Sequence, residues 1–298
     1  LAGFTPTSVV PLTLSSNANA FDVGAFLNSG ASPVVYGGPV TLVQQTRFGG
    51  TGAMRLTGAI TGNGVRFIKD STGLLELQNS GTVTLGAFQA NRGTLQVNAG
   101  SVLNVTSIEV GTGNSVAAGL TLNGGTVTSS GQARFGQGMG SASATLNLNA
   151  GTLTVPGLTK GTLTFNVNFN GGTLKAGSNN PSFFSSATNA KVKSGGAIID
   201  DGGFSIAISQ ALAEDTASTG GGLTKSGNGT LTLHGTNTFT GPTFITSGTL
   251  ALGPAGSIST TQSVNLAAGA RFDASSSANY LWPSAIPLTS NSGELSGG

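Results

Sequence analysis

Along most of the chain apolar and polar residues alternate singly, in short runs that open on glycine. Gly81-Thr82-Val83-Thr84-Leu85, Gly93-Thr94-Leu95-Gln96-Val97, Gly151-Thr152-Leu153-Thr154-Val155, Gly229-Thr230-Leu231-Thr232-Leu233 and Gly248-Thr249-Leu250-Ala251-Leu252 are the clearest, with shorter versions at Gly125, Gly161 and Gly172. A period of two predicts β-strands. Consecutive side chains of a strand point to opposite faces, so Leu231 and Leu233 meet a core while Thr230 and Thr232 meet water. Between the runs stand Asn123-Gly124-Gly125, Asn170-Gly171-Gly172 and Ser226-Gly227-Asn228-Gly229; such steps reach positive φ without steric penalty and predict turns. Two further strands, Ala197–Asp200 and Phe204–Ile208, flank Asp201-Gly202-Gly203. The best helical candidate, Ile208–Asp215, lacks a sustained 3.6-residue period and reads as a strand running into a loop.

The repeats recur at irregular intervals, which fits poorly with the fixed blade length of a propeller. A right-handed parallel β-helix, an all-β solenoid, accommodates the irregularity: each coil needs only its inward residues in register, and turns of variable length bulge outward. At roughly twenty residues per coil, residues 46–275 predict about eleven or twelve coils. The ends differ from this body. Residues 1–45 carry Pro6, Pro11, Pro33 and Pro39, and residues 276–298 carry Pro283 and Pro287 around Trp282. Proline is a poor guest in a ladder, and an open solenoid end exposes unpaired strand edges. Residues 1–45 are therefore expected to form an N-terminal cap or docking segment, and 276–298 a C-terminal cap, linker or docking segment.

Composition narrows the function classes. Glycine makes 49 of 298 residues, charged residues only 7%, and the net charge is +2. With 37% hydrophobic residues the chain is no highly charged disordered segment. Twelve cations against ten anions make no basic footprint for nucleic acid. The absence of cysteine removes disulfides, thiolate nucleophiles and most structural zinc sites. A single histidine, His234, excludes a histidine-rich metal site within one chain. No apolar run reaches the length of about 18 residues that a membrane-spanning helix needs. Leu1 in place of methionine reads as a trimmed leader or an excised fragment.

Parallel β-helices that act on polysaccharides need clustered carboxylates, or a calcium ion beside a basic residue, on one outer face. Asp200 and Asp201 are adjacent and so point to opposite faces; a turn role is favoured over a site. Glu76 and Glu109 sit on the solvent side of strand patterns, where isolated charges discourage edge pairing. His234 follows a strand end and reads as a surface turn residue. Gly136-Gln137-Gly138-Met139-Gly140 is followed by no helix, so it reads as a turn rather than a phosphate loop. Lys191 and Lys193 alternate on one strand face, where they serve solubility or touch an acidic sugar. Asn104-Val105-Thr106 and Asn228-Gly229-Thr230 match the glycosylation sequon, a frequent coincidence in such a composition. No catalytic, metal or cofactor residue is assigned. Phe183 and Phe184, beside Asn179-Asn180-Pro181 in a loop, either plug a coil or meet a partner, and with Tyr280 and Trp282 they are the candidate assembly or partner contacts.

The run Gly222-Leu223-Thr224-Lys225-Ser226-Gly227-Asn228-Gly229-Thr230-Leu231-Thr232-Leu233, continued by Asn237-Thr238-Phe239-Thr240-Gly241 and Gly248-Thr249-Leu250-Ala251-Leu252, closely resembles the autotransporter-associated β-strand repeat. His234 stands where that family more often shows Ser, and Pro242 where it usually has a second Gly. Gly195–Gly203 and the glycine-rich stretch 119–155 resemble the degenerate flanking repeats of the same large secreted proteins. The resemblance implies a bacterial exported β-helix displayed outside the cell, with the repeat as scaffold. The leading expectation is a non-catalytic structural protein of the bacterial surface that assembles head to tail, through its solenoid ends, into a fibre or layer. The alternative is an adhesin-type passenger recognising a glycan or cell surface; a polysaccharide-active enzyme ranks third.

Overall fold

The computed structural model of the chain describes residues 10–15, 25–113, 116–140, 142–277 and 286–297. The described residues contain strands and turns and no helix. Each strand pairs in parallel with a strand roughly one coil, about twenty residues, away in sequence. The fold is a parallel β-solenoid of about 12 turns, divided into two compact units, one of residues 1–153 with 160–165 and one of 154–159 with 166–298.

In the first unit, the alternation of the sequence becomes columns of like side chains. Val34 lies opposite Met54, Met54 opposite Leu75, Leu75 opposite Leu95 and Leu95 opposite Leu120, all facing inward and buried. The outward row beside them reads Val35, Arg55, Glu76, Gln96 and Thr121. A second inward column carries phenylalanines: Phe26 is paired with Phe48, and Phe67 with Phe88. The Phe48 and Phe67 rings stack at 4.4 Å and Phe67 meets Phe88 at 6.2 Å. Farther along, Phe135 stacks on Phe165 at 4.3 Å. The runs predicted separately at Gly81 and Gly93 belong to one continuous strand, Gly81–Asn98, which passes from one sheet to the next. Its corners need no break, because a strand can bend there and re-enter the ladder.

In the second unit, one inward column runs Leu174, Ile199, Lys225, Ile245, Leu266, and another runs Ile206, Leu231, Leu250, Phe272. The Ile208–Asp215 segment ends one strand, Ser205–Ile208, and holds a short one, Ala213–Glu214, as its lack of helical period requires. Ladder strands occur outside the expected 46–275 body. Leu12–Leu14 pairs with Val40–Leu42, and Glu294–Ser296 pairs with Arg271–Asp273.

Candidate functional site

Strand Leu223–Ser226 alternates in, out, in, so Leu223 and Lys225 share the inward face. Lys225 thus replaces an aliphatic residue in its column, between Ile199 and Ile245, and is completely buried. A lone buried ammonium is prohibitively costly, and it persists only with a counter-charge and acceptors for its protons. Both are provided. Nζ donates to the backbone carbonyls of Gly227 at 2.7 Å, Ser247 at 2.9 Å and Ser226 at 3.2 Å, and it forms an ion pair with Oδ2 of the equally buried Asp201. The other oxygen, Oδ1, accepts two backbone N–H groups, from Gly203 and Gly229, each at 2.8 Å. Glycine at 227 and 248 leaves room for this: a Cβ at 227 would collide with Oδ1, and one at 248 would lie 2.7 Å from Nζ.

A second polar closure sits in the following turn. Asn237 is buried and joins separate stretches of chain, accepting from the Leu212 N–H at 3.0 Å and donating to the carbonyls of Gly235 and Ser257 at 2.9 Å each. Phe239, two residues on, fills the coil interior.

On the outer side, Asp200 pairs with Lys175 at 2.8 Å and accepts the Gly202 N–H at 2.8 Å. Partial burial pushes its carboxyl up, but hydrogen bonds from Lys175 and Gly202, with the charges of Lys175 and Lys225, hold it below the ordinary carboxylate range. Lys193 pairs with Asp215 at 2.5 Å. Two open clefts mark this exterior. One, of about 350 Å³, lies over Arg55, Glu76, Gln96, Asn98 and Asn123. The other, of about 190 Å³, lies between Ser194, Thr224, Pro242 and Phe244 over a floor of glycine backbone. Phe244 is 43% exposed.

Residues 223–252 match the family described as the passenger-associated-transport-repeat. The chain carries a passenger-associated transport repeat. The match and the parallel coils around it fit an autotransporter-associated β-helix repeat protein. No curated protein and no solved structure matches the chain.

The matched residues explain the repeat's lettering. Its leucines, Leu223, Leu231, Leu233, Leu250 and Leu252, are core, as are Phe239 and Ile245. Its Lys225 and Asn237 are also core, which the sequence reading missed. The signal was present: in Leu223-Thr224-Lys225 the period of two already puts lysine on leucine's side.

For Phe183 and Phe184, the placement in a loop is corrected. They belong to strand Asn180–Phe184, not to a loop, and both are completely buried. The succession of two aromatics suits a strand end where the chain turns a corner and both rings face inward. They fill a coil and are closed to a partner. Tyr280 and Trp282 lie outside the described residues. Asp200 and Asp201 do point to opposite sides, the one toward Lys175 and the other toward Lys225. Glu76 accepts from Arg55 at 2.8 Å and from Gln96 at 3.1 Å. Glu109 lies in the row of Gln89 and Arg134. His234 follows the strand end, packed against Gly253. Among the described residues, no group of three or more His, Cys, Asp or Glu side chains could hold a metal ion, and no helix is long and apolar enough to cross a membrane.

Proposed function

We propose that this chain is a non-catalytic structural protein of the bacterial cell surface, whose solenoid ends stack head to tail into a fibre or layer. The disposition of its carboxylates carries the reading. Asp70, Glu76, Asp200, Asp201, Asp215 and Asp273 are each ion-paired with a lysine or arginine. All but Asp273, which pairs with Arg271 inside its own strand, tie one coil to the next, and acids so paired are not poised to transfer protons to a substrate. Contact between unlike ends of identical subunits does not close on itself and so propagates. Electron microscopy of the purified chain tests this. Uniform fibres are the expected result, and particles that stay single at high concentration overturn it.

One observation favours a second reading, glycan recognition by an adhesin-type passenger. Phe244 presents an aromatic face beside Pro242, with the hydroxyl-bearing Thr224 and Ser194 in the same cleft, an apolar platform with a polar rim of the kind that fixes small ligands. A glycan array probed with the chain and with its Phe244→Ala variant decides between the two: retention lost on substitution supports recognition, and no retention by either removes it.

A further inference from the structure

Buried lysines and aspartates in contact hold the two halves of an amide. We propose that Lys225 and Asp201 condense into an intramolecular isopeptide bond that staples the repeat to the coil before it, a covalent modification site built by the chain alone.

The electrophile is prepared. Both N–H donors to Asp201, from Gly203 and Gly229, converge on Oδ1, the arrangement that stabilises charge developing on a carbonyl oxygen under attack. The other oxygen, Oδ2, faces Lys225 Nζ and receives a hydrogen bond from no other group. It is the oxygen free to leave. The nucleophile is equally constrained, since Nζ is also held by the carbonyls of Gly227, Ser247 and Ser226. Two reactants fixed in one another's van der Waals shell replace a bimolecular encounter with a unimolecular step.

The balance is simple and calls on no other reagent. A proton passes from the Lys225 ammonium to Oδ2, leaving a neutral amine and a carboxylic acid. The amine lone pair attacks Cγ, forming the C–N bond and moving charge onto Oδ1, where the two N–H groups receive it. A second proton leaves nitrogen for the Oδ2 hydroxyl, the C–Oδ2 bond breaks and one water departs. The amide oxygen retains the Gly203 and Gly229 donors, and the single remaining N–H serves one of the three carbonyls, of Gly227, Ser247 and Ser226, that the ammonium serves. Both charges vanish from a column otherwise filled by Leu174, Ile199, Ile245 and Leu266. Lysine and aspartate are completely buried, and the removal of an ion pair from an apolar interior favours the condensed form.

Intact-mass spectrometry of the full chain gives the decision. The chain is expected one water lighter than its sequence mass, and after proteolysis the peptide holding Asp201 is expected joined to that holding Lys225. Asp201→Asn is expected to reach the same final mass by releasing ammonia, whereas Lys225→Arg is expected at its full sequence mass. A wild-type chain at full mass overturns the proposal, as does a water loss that persists in Lys225→Arg or a link mapped to other residues. The wild-type reading requires no variant to fold.

Discussion

Phe67→Ala tests whether the inner columns hold the solenoid together. The Phe67 side chain is 1% exposed, stacked on Phe48 with an interplanar angle of 21° and tilted against Phe88 at 47°. Truncation removes the ring's transfer free energy and leaves a cavity that its neighbours, themselves held by ladder hydrogen bonds, cannot collapse into. Such changes cost about 3–5 kcal/mol, and loss of the two ring pairs places this one in the upper half of that range. The whole stability of a domain is about 5–15 kcal/mol. Because coils of a solenoid contact only their neighbours, a lesion of that size also loosens the coupling between them. Urea titration followed by far-ultraviolet circular dichroism should therefore show a lower midpoint and a shallower transition in Phe67→Ala. The control is Phe244→Ala, since a half-exposed ring on the outer face should move stability by less than about 0.5 kcal/mol. Equal losses from the two variants, or a loss below about 1 kcal/mol at Phe67, would refute the assignment of stability to the inner column.

The remaining predictions concern polar closure, backbone and charge. Asn237→Ala strands the buried Leu212 N–H, while the Gly235 and Ser257 carbonyls keep backbone donors from Ser257 and Asn237. It should cost about 1–3 kcal/mol by thermal or urea denaturation, the penalty of one orphaned group. Gly58→Ala would drive a Cβ into the carbonyl of Gly38 and should prevent the wild-type spectrum from forming, whereas Gly269→Ala has open space but a φ of 73° and should cost only about 1–2 kcal/mol. The Asp200 carboxyl is held below its ordinary value of 3.8 by Lys175, Gly202 and Lys225 against the opposing pull of burial. Its contribution is then complete above that value and is lost as pH falls through the lower folded one. Acid titration of stability should show this fall, and Asp200→Asn should flatten it; an unchanged acid limb would count against the Lys175 pairing.

The coils were legible because their signal is local. A period of two needs no knowledge of distant residues, and the strands at 197–200, 205–208, 230–233 and 249–252 fall where the alternation puts them. What escaped depends on which coils stack. Asp201 announces a turn by its place before Gly202 and Gly203, and it makes that turn through the Gly203 N–H. Its partner Lys225 lies one coil away, and no spacing rule joins them. Phe183-Phe184 misled for a related reason. Two adjacent aromatics violate strict alternation and so read as a loop, yet at the end of strand Asn180–Phe184 both rings find the interior.

The polar residues inside the repeat answer a question that its leucines leave open. A strand of alternating leucine and threonine that slips by two residues still faces leucine inward, so hydrophobic burial discriminates weakly among even registers. Lys225 and Asn237 have no such freedom. After a slip of two, Nζ would lose the Asp201 carboxylate and the Ser247 carbonyl of the neighbouring coils, and the Leu212 N–H would lose its acceptor, each an unpaired polar group in a dry interior. The apolar column therefore stabilises stacked coils in general, while the buried lysine, aspartate and asparagine select one register among the stacks. An exterior relieved of that task is free to vary in turn length and side chain, as the irregular spacing of the Gly-Thr-Leu runs shows, and a surface scaffold that must offer different faces along its length has use for this division.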